Sequence, residues 1–235
     1  MAGPVIAFTV HNRPAYLKQV LESWAMARGI GRAEMIFRCE PGYDETVALC
    51  GQVTYARKTQ VIVNPERFGV LANPWHCMET SFATGAPFAI LCEEDTPVSD
   101  DVLEFFAWAQ RTYAADPDVV AVCAHQLGKD HDVSGGPADI LRHPHFSPIV
   151  WGTWRDRWET FFRPTWDFDY SRRGWDWNVN RLIGEQGKHI VMPACSRSQH
   201  IGEFGGIHCS PDFYPETVSQ TFREHFGPQE YRERG

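Results

Sequence analysis

The sequence contains no long hydrophobic run and no excess of basic residues. Nowhere does it reach the roughly 18 consecutive apolar residues that a membrane-spanning helix needs. Its first residues, MAGPVIAFTV, have no basic segment ahead of their short apolar stretch, so a signal peptide is not predicted. Acidic residues outnumber Lys and Arg by 30 to 22, which argues against a broad surface for nucleic acid or anionic lipid. We therefore expect a soluble, cytoplasmic protein that does not bind membranes.

The sequence lacks the cysteine spacings that would indicate disulfide bonds or a metal site. The seven cysteines never occur as Cys-x-x-Cys and their number is odd, so neither a disulfide framework nor a zinc site is predicted. Hydrophobic residues, in contrast, make up 43% of the 235 residues, and aromatic residues 13%. This is enough for the core of an enzyme-sized domain. We expect one domain over 1–235, with its halves at 1–125 and 126–235.

The first half alternates short apolar runs with amphipathic segments. PVIAFTV at 4–10 and FAILCEED at 88–95 begin as apolar runs typical of buried strands, whereas RPAYLKQVLESWAMARG at 13–29 carries its large apolar residues on one helical face. This alternation predicts an α/β fold in which helices flank a mostly parallel sheet. The helix after FAILCEED is predicted to start just beyond Ser99, at Asp100, because serine caps helices and two acidic residues follow it.

Polar clusters stand where three of the predicted strands end: HNR at 11–13, Glu40, and EED at 93–95. Ligands of parallel sheets bind outside the carboxyl ends of the strands. Three adjacent carboxylates repel one another, and a divalent cation that also binds phosphate oxygens would relieve that repulsion. A solvated acidic turn explains the triplet equally well from its residues alone.

The second half is rich in tryptophan, with six of the nine between residues 151 and 177. Aromatic side chains stack on sugars and nucleobases, but they also form cores. By position, Trp151 and Trp175 are predicted to form one wall of a binding site, which would be the acceptor site if the chain transfers a sugar. Four others stand at helical spacing and are predicted to be core: Trp154, Trp158, Phe161 and Phe162.

The segments VIAFTVHNRPAYLKQVLESW, FRCEPGYDET and AILCEEDTPVSDDVLEFF, in this order, resemble the nucleotide-sugar-binding half of GT-A glycosyltransferases. The likeness is to the N-acetylglucosaminyltransferase I type and, more loosely, to family-2 glycosyltransferases, and it spans 4–123 with weaker echoes to 206. It implies a GT-A, Rossmann-like fold with a Trp-rich acceptor lobe. It also implies transfer of a sugar from a nucleotide donor, expected to be UDP-linked, to an acceptor hydroxyl, with Mn²⁺ or Mg²⁺ as cofactor.

The resemblance also implies roles for single residues. Arg13 stands where the family contacts the diphosphate, Glu40 where it reads the base, and Asp95 where it binds the metal directly. The family has aspartate at the middle position of the acidic motif, where this chain has Glu94. Three residues complete the implied nucleotide-sugar site: Thr9, Glu93 and Glu94.

Two further residues are candidates in the second half. The segment GWDWNVNRL resembles the family's Trp-Asp-Asp-Trp segment, which makes Asp176 the candidate base for an inverting reaction. An acid in the first turn of a helix is also explained by the helix dipole alone. His200 and His208 lie among glycines in a late segment, and His200 is the candidate metal ligand, although a lone histidine is ordinarily structural.

The acceptor stays open at this point. A glycan, a virion protein or a hydroxymethylated DNA base would each offer a hydroxyl, and arginines interleaved with the tryptophans would suit DNA. Without a membrane anchor, the chain differs from Golgi relatives and suggests a bacterial cell or a phage-infected one. A sugar-nucleotide nucleotidyltransferase is an alternative, but TVHNRPAYL lacks the Gly-rich basic loop it would need. A non-catalytic carbohydrate-binding module would explain the tryptophans but not the polar strand ends.

Overall fold

The computed structural model describes residues 3–126, 135–169, 174–206 and 209–234. The strands are β1 (Val5–Val10), β2 (Glu34–Cys39), β3 (Lys58–Val63), β4 (Phe88–Glu93), β5 (Val119–Cys123), β6 (Asp139–His143), β7 (Trp151–Trp154), β8 (His189–Pro193) and β9 (Arg232–Glu233). The helices are α1 (Pro14–Ala25), α2 (Asp44–Gly51), α3 (Gly69–Ala83), α4 (Val102–Thr112), α5 (Arg155–Arg157), α6 (Arg163–Thr165), α7 (Trp175–Gln186) and α8 (Tyr214–Thr217). A 3₁₀ turn occupies Ile30–Arg32, and a π-helical turn at Trp158–Phe162 joins α5 to α6.

The strands form one sheet in the order β3-β2-β1-β4-β7-β5-β8-β6-β9. Strands β1 to β4 pair in parallel, as do β5 with β8 and β6 with β9. The predicted α/β fold with a mostly parallel sheet is therefore confirmed. Strand β7 runs antiparallel between β4 and β5, and β6 antiparallel to β8; neither strand was predicted. The sheet thus draws strands from both halves of the chain.

Two hydrophobic clusters cover the two faces of the sheet. Along β1, Ile6, Phe8 and Val10 point into the cluster under α1, α2 and α4, whereas Val5 and Ala7 point into the cluster under α3 and α7. Successive side chains of a strand point to opposite faces, so a strand buried on both sides must be apolar throughout. This is why VIAFTV is a continuous apolar run rather than an alternating one.

Helix α4 begins two residues later than predicted, at Val102 instead of Asp100. The Ser99 hydroxyl donates to Asp101 Oδ1 rather than capping the helix. Asp101 in turn pairs with Arg197, and both side chains are fully buried. Both acids after Ser99 therefore bind partners far along the chain, Asp101 the Arg197 side chain and Asp100 the backbone N–H of Phe226. Among the described residues, no helix has both the length and the apolar character that a bilayer crossing demands.

Candidate functional site

The three predicted polar clusters meet at the carboxyl edge of the sheet. Register brings them together, because Thr9 of β1 pairs with Arg38 of β2 on one side and with Glu93 of β4 on the other. A cleft opens above these strand ends. The cleft is lined by six residues that the sequence analysis placed in the polar clusters or in the nucleotide-sugar site: Thr9, His11, Arg13, Glu40, Glu93 and Glu94.

Arg13 holds the acidic motif together. Its Nε donates to Glu94 Oε1 at 2.8 Å, and its Nη1 lies 2.7 Å from Asp95 Oδ2. The backbone N–H of His11 donates to Glu94 Oε2 at 2.7 Å. Both oxygens of Glu94 are thus bound to the segment after β1, which gives this residue a local partner for each oxygen. These ion pairs reduce the repulsion among the three adjacent carboxylates, because Arg13 supplies positive charge to both Glu94 and Asp95.

The acids of the motif differ in their protonation. Burial raises the pKa of Glu93 to about 7, and the neighbouring charge of Asp95 adds to the rise. Burial also acts to raise the pKa of Asp95, but the side-chain contact with His200 and the charge of Arg13 outweigh it and hold that pKa below its ordinary value. Asp95 is therefore held in its charged form near neutral pH, as a cation ligand must be.

His200 reaches Asp95 because the segment after β8 runs beside the segment after β4. Gln199 N donates to Pro97 O, and Ile201 N donates to Asp95 O. This antiparallel run places His200 Nε2 3.2 Å from Asp95 Oδ2. The structure thus brings the two predicted metal ligands together, although 105 residues separate them.

The Asp95–His200 pair fits a divalent cation. Asp95 Oδ1 is buried and has no hydrogen-bond partner among the described residues, which leaves one carboxylate oxygen free for a ligand. Gly202 packs so closely that a Cβ there would overlap Asp95 Oδ2 and lie 2.8 Å from His200 Nε2. Across the ranges that the structure describes, no group of three or more His, Cys, Asp or Glu forms a complete metal cage. A cation at this pair would therefore take further ligands from a bound substrate, in the way that Mg²⁺ takes phosphate oxygens.

Glu40 lies at the cleft but is already engaged. Its two carboxylate oxygens accept hydrogen bonds from the backbone N–H groups of Phe68, at 2.9 Å, and Gly69, at 2.7 Å. These are donors at the start of α3, which the helix itself leaves unsatisfied, and a carboxylate also suits the positive end of the helix dipole. In this structure Glu40 thus holds the first turn of α3 against the cleft, and its predicted contact with a base stays a prediction.

Asp176 lies in the first turn of α7, close to the same helix start. Gly174 precedes it with φ 92°, a left-handed conformation that favours glycine. A Cβ on Gly174 would be 3.3 Å from Leu71 Cδ2 and 3.5 Å from Asp176 Oδ1. Leu71 follows Gly69 and Val70, which line the cleft. Burial raises the pKa of Asp176 above its ordinary value, which makes this carboxylate a better proton acceptor than a solvated aspartate.

The predicted acceptor wall is corrected by the burial of its two tryptophans. Trp151 is fully buried and Trp175 is 5% exposed. The Trp175 ring stacks on Trp166 at 4.2 Å and lies 5.8 Å from Trp151. A buried ring offers no face to an acceptor, so both belong to the core. The exposed aromatics of this region are Phe168 and Trp177, which are 52% and 55% exposed.

Several cleft residues escaped the sequence reasoning. Arg67, Asn73, Gly205 and Gly206 also line the cleft. The only signal for the two glycines was the cluster of glycines around His200, and Arg67 stood in an unremarkable polar turn. His208, Arg172 and Arg173 lie outside the described residues.

No protein-family model matches the chain, and no curated protein matches it either. Solved structures do share its fold. The mannosyltransferase PcManGT from Pyrobaculum calidifontis, in complex with GDP-Man and Mn²⁺, matches with a TM-score of 0.55 and 14% identity over 91% of this chain and 67% of that one. S. aureus TarS 1–349 in complex with UDP matches with a TM-score of 0.57 and 10% identity over 83% of this chain and 59% of that one.

A second structure of S. aureus TarS 1–349 also matches, with a TM-score of 0.56 and the same coverage. The chain thus spans less than two thirds of the TarS structures and 67% of PcManGT. At identities of 10 to 14% the likeness is one of fold. It confirms the glycosyltransferase, GT-A-like fold that the resemblance implied.

Proposed function

We propose that the chain is a metal-dependent glycosyltransferase that moves a sugar from a nucleotide donor, expected to be UDP-linked, to an acceptor hydroxyl with inversion. The observation that carries this proposal is the meeting of Arg13, Asp95 and His200 beside one cleft at the carboxyl edge of the sheet. A site for an anionic donor and a cation needs positive charge, a charged carboxylate and room for phosphate. The fold shared with glycosyltransferases supports the same conclusion.

Asp95 and His200 would hold Mn²⁺ or Mg²⁺, through the free carboxylate oxygen and the imidazole Nε2. Bound there, the cation would neutralise the negative charge that develops on the leaving nucleoside diphosphate. Arg13 would turn from the carboxylates to the diphosphate, where its guanidinium can bind two oxygens at once. PcManGT was solved with GDP-Man and Mn²⁺, and that combination in a protein of the same fold supports a donor and a metal acting together.

Asp176 would act as the general base. As the acceptor oxygen attacks the anomeric carbon, the bond from that carbon to the diphosphate oxygen breaks, and Asp176 takes the hydroxyl proton. The raised pKa of Asp176 means that its carboxylate binds the proton more strongly, as this transfer requires. Gly174, two residues before Asp176, lies close to Leu71 in the first turn of α3, and the neighbouring Gly69 and Val70 line the cleft. This position supports a role on the acceptor side of the donor site.

Within the described part of the second half, two exposed aromatic rings lie near the candidate base in the sequence. Phe168 and Trp177 are half-exposed, and Trp177 directly follows the candidate base. Apolar ring faces suit the C–H faces of a sugar. We therefore favour a glycan or glycosylated molecule as acceptor over a modified DNA base, and a DNA oligonucleotide serves as the contrasting substrate in a test.

The proposal is tested with a panel of UDP- and GDP-sugars, measuring metal-dependent donor hydrolysis and nucleotide binding by calorimetry with and without Mn²⁺. We expect one nucleotide to bind far more tightly with Mn²⁺, and Asp95→Asn to remove that dependence. Nucleotide binding that ignores Mn²⁺ in the wild type would contradict the proposal. Release of pyrophosphate from a nucleoside triphosphate and a sugar phosphate would instead indicate a nucleotidyltransferase.

A further inference from the structure

The His200 side chain is bound on both of its ring nitrogens. Nε2 faces Asp95 Oδ2 at 3.2 Å, and Nδ1 faces the hydroxyl of Thr217 at 2.7 Å. Thr217 ends helix α8, a short element that nothing in the sequence marked as part of a site. A ring held on both sides has its orientation determined, and the nature of the second partner determines which nitrogen carries the proton.

With its proton donated to the carbonyl of Tyr214, the Thr217 hydroxyl accepts from His200. A hydroxyl has one proton, and that of Thr217 is donated to the backbone carbonyl of Tyr214 at 2.8 Å. Towards His200 the oxygen therefore presents a lone pair. The His200 Nδ1 must then be the donor, and a neutral ring carries its lone pair on Nε2, directed at Asp95.

A lone pair directed at a carboxylate oxygen is repulsive unless positive charge separates or joins them. A divalent cation held between Nε2 and Asp95 would relieve this repulsion by taking both as ligands. Asp95 Oδ1, buried and without a partner in the described part of the chain, is available at the same time. The tautomer that Thr217 selects is the one in which Nε2 can bind a cation.

We propose that Thr217 is a positioning residue of the metal site: its hydroxyl holds His200 in the Nδ1–H tautomer, with Nε2 free to bind the cation beside Asp95. The inference rests on the proposed function, because it assumes that His200 is a metal ligand. Partners of this kind behind a ligating histidine orient the ring and tune its basicity.

Thr217 is itself anchored to the core. Its backbone carbonyl lies 3.0 Å from Nε2 of His125, a fully buried residue just beyond β5, and His125 Nδ1 lies 3.1 Å from Ser198 O. The Tyr214 hydroxyl also donates to the carbonyl of His200, at 3.2 Å. These contacts tie α8 to the segment that carries His200. The Thr217 hydroxyl is therefore a fixed group, able to select a tautomer.

The test compares Thr217→Val, which keeps the shape of the side chain but loses the hydroxyl, with Thr217→Ser, which keeps the hydroxyl. Mn²⁺ affinity is measured by electron paramagnetic resonance of the unbound ion, with the nucleotide that binds best in the donor panel present at saturation. We expect Thr217→Val to weaken Mn²⁺ binding by roughly 10- to 100-fold, the usual effect of losing a partner behind a metal ligand. Thr217→Ser should stay close to the wild type.

Two controls separate positioning from mere structural support. Thr221→Val removes a hydroxyl from the same C-terminal segment, where it binds Gln126 rather than His200, and should leave Mn²⁺ affinity unchanged. In a His200→Ala background, Thr217→Val should have no further effect, because Thr217 acts through the ring. Melting temperatures of all variants, measured without metal, report whether each remains folded.

The outcomes distinguish the two proposals. If His200→Ala binds Mn²⁺ like the wild type, His200 is not a ligand and the proposed metal site is wrong at that residue. If His200→Ala loses affinity while Thr217→Val does not, the metal site stands and the role of Thr217 is refuted. An equal loss from Thr217→Val with and without His200 would assign Thr217 a structural role only, which also overturns the inference.

Discussion

The Nη1 of Arg13 lies 2.7 Å from Asp95 Oδ2, the same oxygen that faces His200 Nε2 at 3.2 Å. In the donor-free chain, the arginine proposed for the diphosphate is therefore bound to the carboxylate proposed for the metal. Arg13 thus supplies to Asp95 the positive charge that a divalent cation would supply, and the two would compete for that charge-assisted contact.

Replacing Arg13 by glutamine should raise the affinity for Mn²⁺ in the absence of nucleotide and lower the affinity for the nucleoside diphosphate. A hydrogen bond to a charged group contributes about 1.5 to 3 kcal/mol, so we expect changes of roughly tenfold or more in each, in opposite directions. Calorimetry with Mn²⁺ alone and then with UDP or GDP measures both.

Arg67→Gln is the matched control for Arg13→Gln. Arg67 lines the same cleft, and within the described ranges no ion pair joins it to an acidic residue. Both variants remove one positive charge, but only Arg13 contacts Asp95. Equal gains in Mn²⁺ affinity would indicate a general effect of charge and contradict direct competition at Asp95.

Asp176→Asn should abolish transfer while leaving donor binding intact. General bases contribute roughly 10² to 10⁴ in rate, and asparagine keeps the size of the side chain but cannot accept the proton. Product formation under saturating donor, with nucleotide affinity measured alongside, tests this. Transfer retained within a few-fold of the wild type would remove Asp176 as the base.

The pKa of Asp176 predicts how turnover falls at low pH. A base must be deprotonated, and burial raises the pKa of Asp176 above its ordinary 3.8. Turnover should therefore fall as the pH is lowered through that raised value, and the midpoint should lie above that of a solvated aspartate. Measuring kcat against pH at saturating donor and metal checks this; turnover that stays flat down to pH 4 would disagree with it.

Gly202→Ala should disrupt the Asp95–His200 pair. The added Cβ would overlap Asp95 Oδ2 and lie 2.8 Å from His200 Nε2, so one of the two must move. We expect the metal dependence of nucleotide binding to be lost or strongly weakened, as calorimetry would show. Gly227→Ala is the control, because a Cβ there has nothing within 4 Å; an equal effect from both would point to backbone flexibility instead.

Arg197→Met should strongly destabilise the fold. Arg197 and Asp101 are fully buried with 3.0 Å between Nη2 and Oδ2, and the hydroxyl of Tyr231 donates to the same carboxylate oxygen at 2.7 Å. Removing one partner of a buried pair leaves an uncompensated charge and costs about 3 to 5 kcal/mol. Urea denaturation measures the free energy of unfolding, and Arg197→Met combined with Asp101→Asn should recover part of the loss. A free energy within 1 kcal/mol of the wild type for Arg197→Met would contradict this.

Local patterns in the sequence were enough for the strands and helices of the first half and for the position of its polar residues. Apolar runs and helical periodicity depend on neighbours a few residues apart, and parallel strands place their carboxyl ends at one edge. Arg13, Glu40 and Glu93 therefore had to lie near one another once the sheet formed.

Only the tertiary structure decided which partners these groups found. Glu40 binds the start of α3, Asp101 binds Arg197, and His200 reaches Asp95 across 105 residues. The rings of Trp151 and Trp175 turned inward, although their positions suggested a surface. A residue's type states which bonds it can make. Which bond forms depends on segments distant in the chain that pack together and on the need of each buried polar group for a partner.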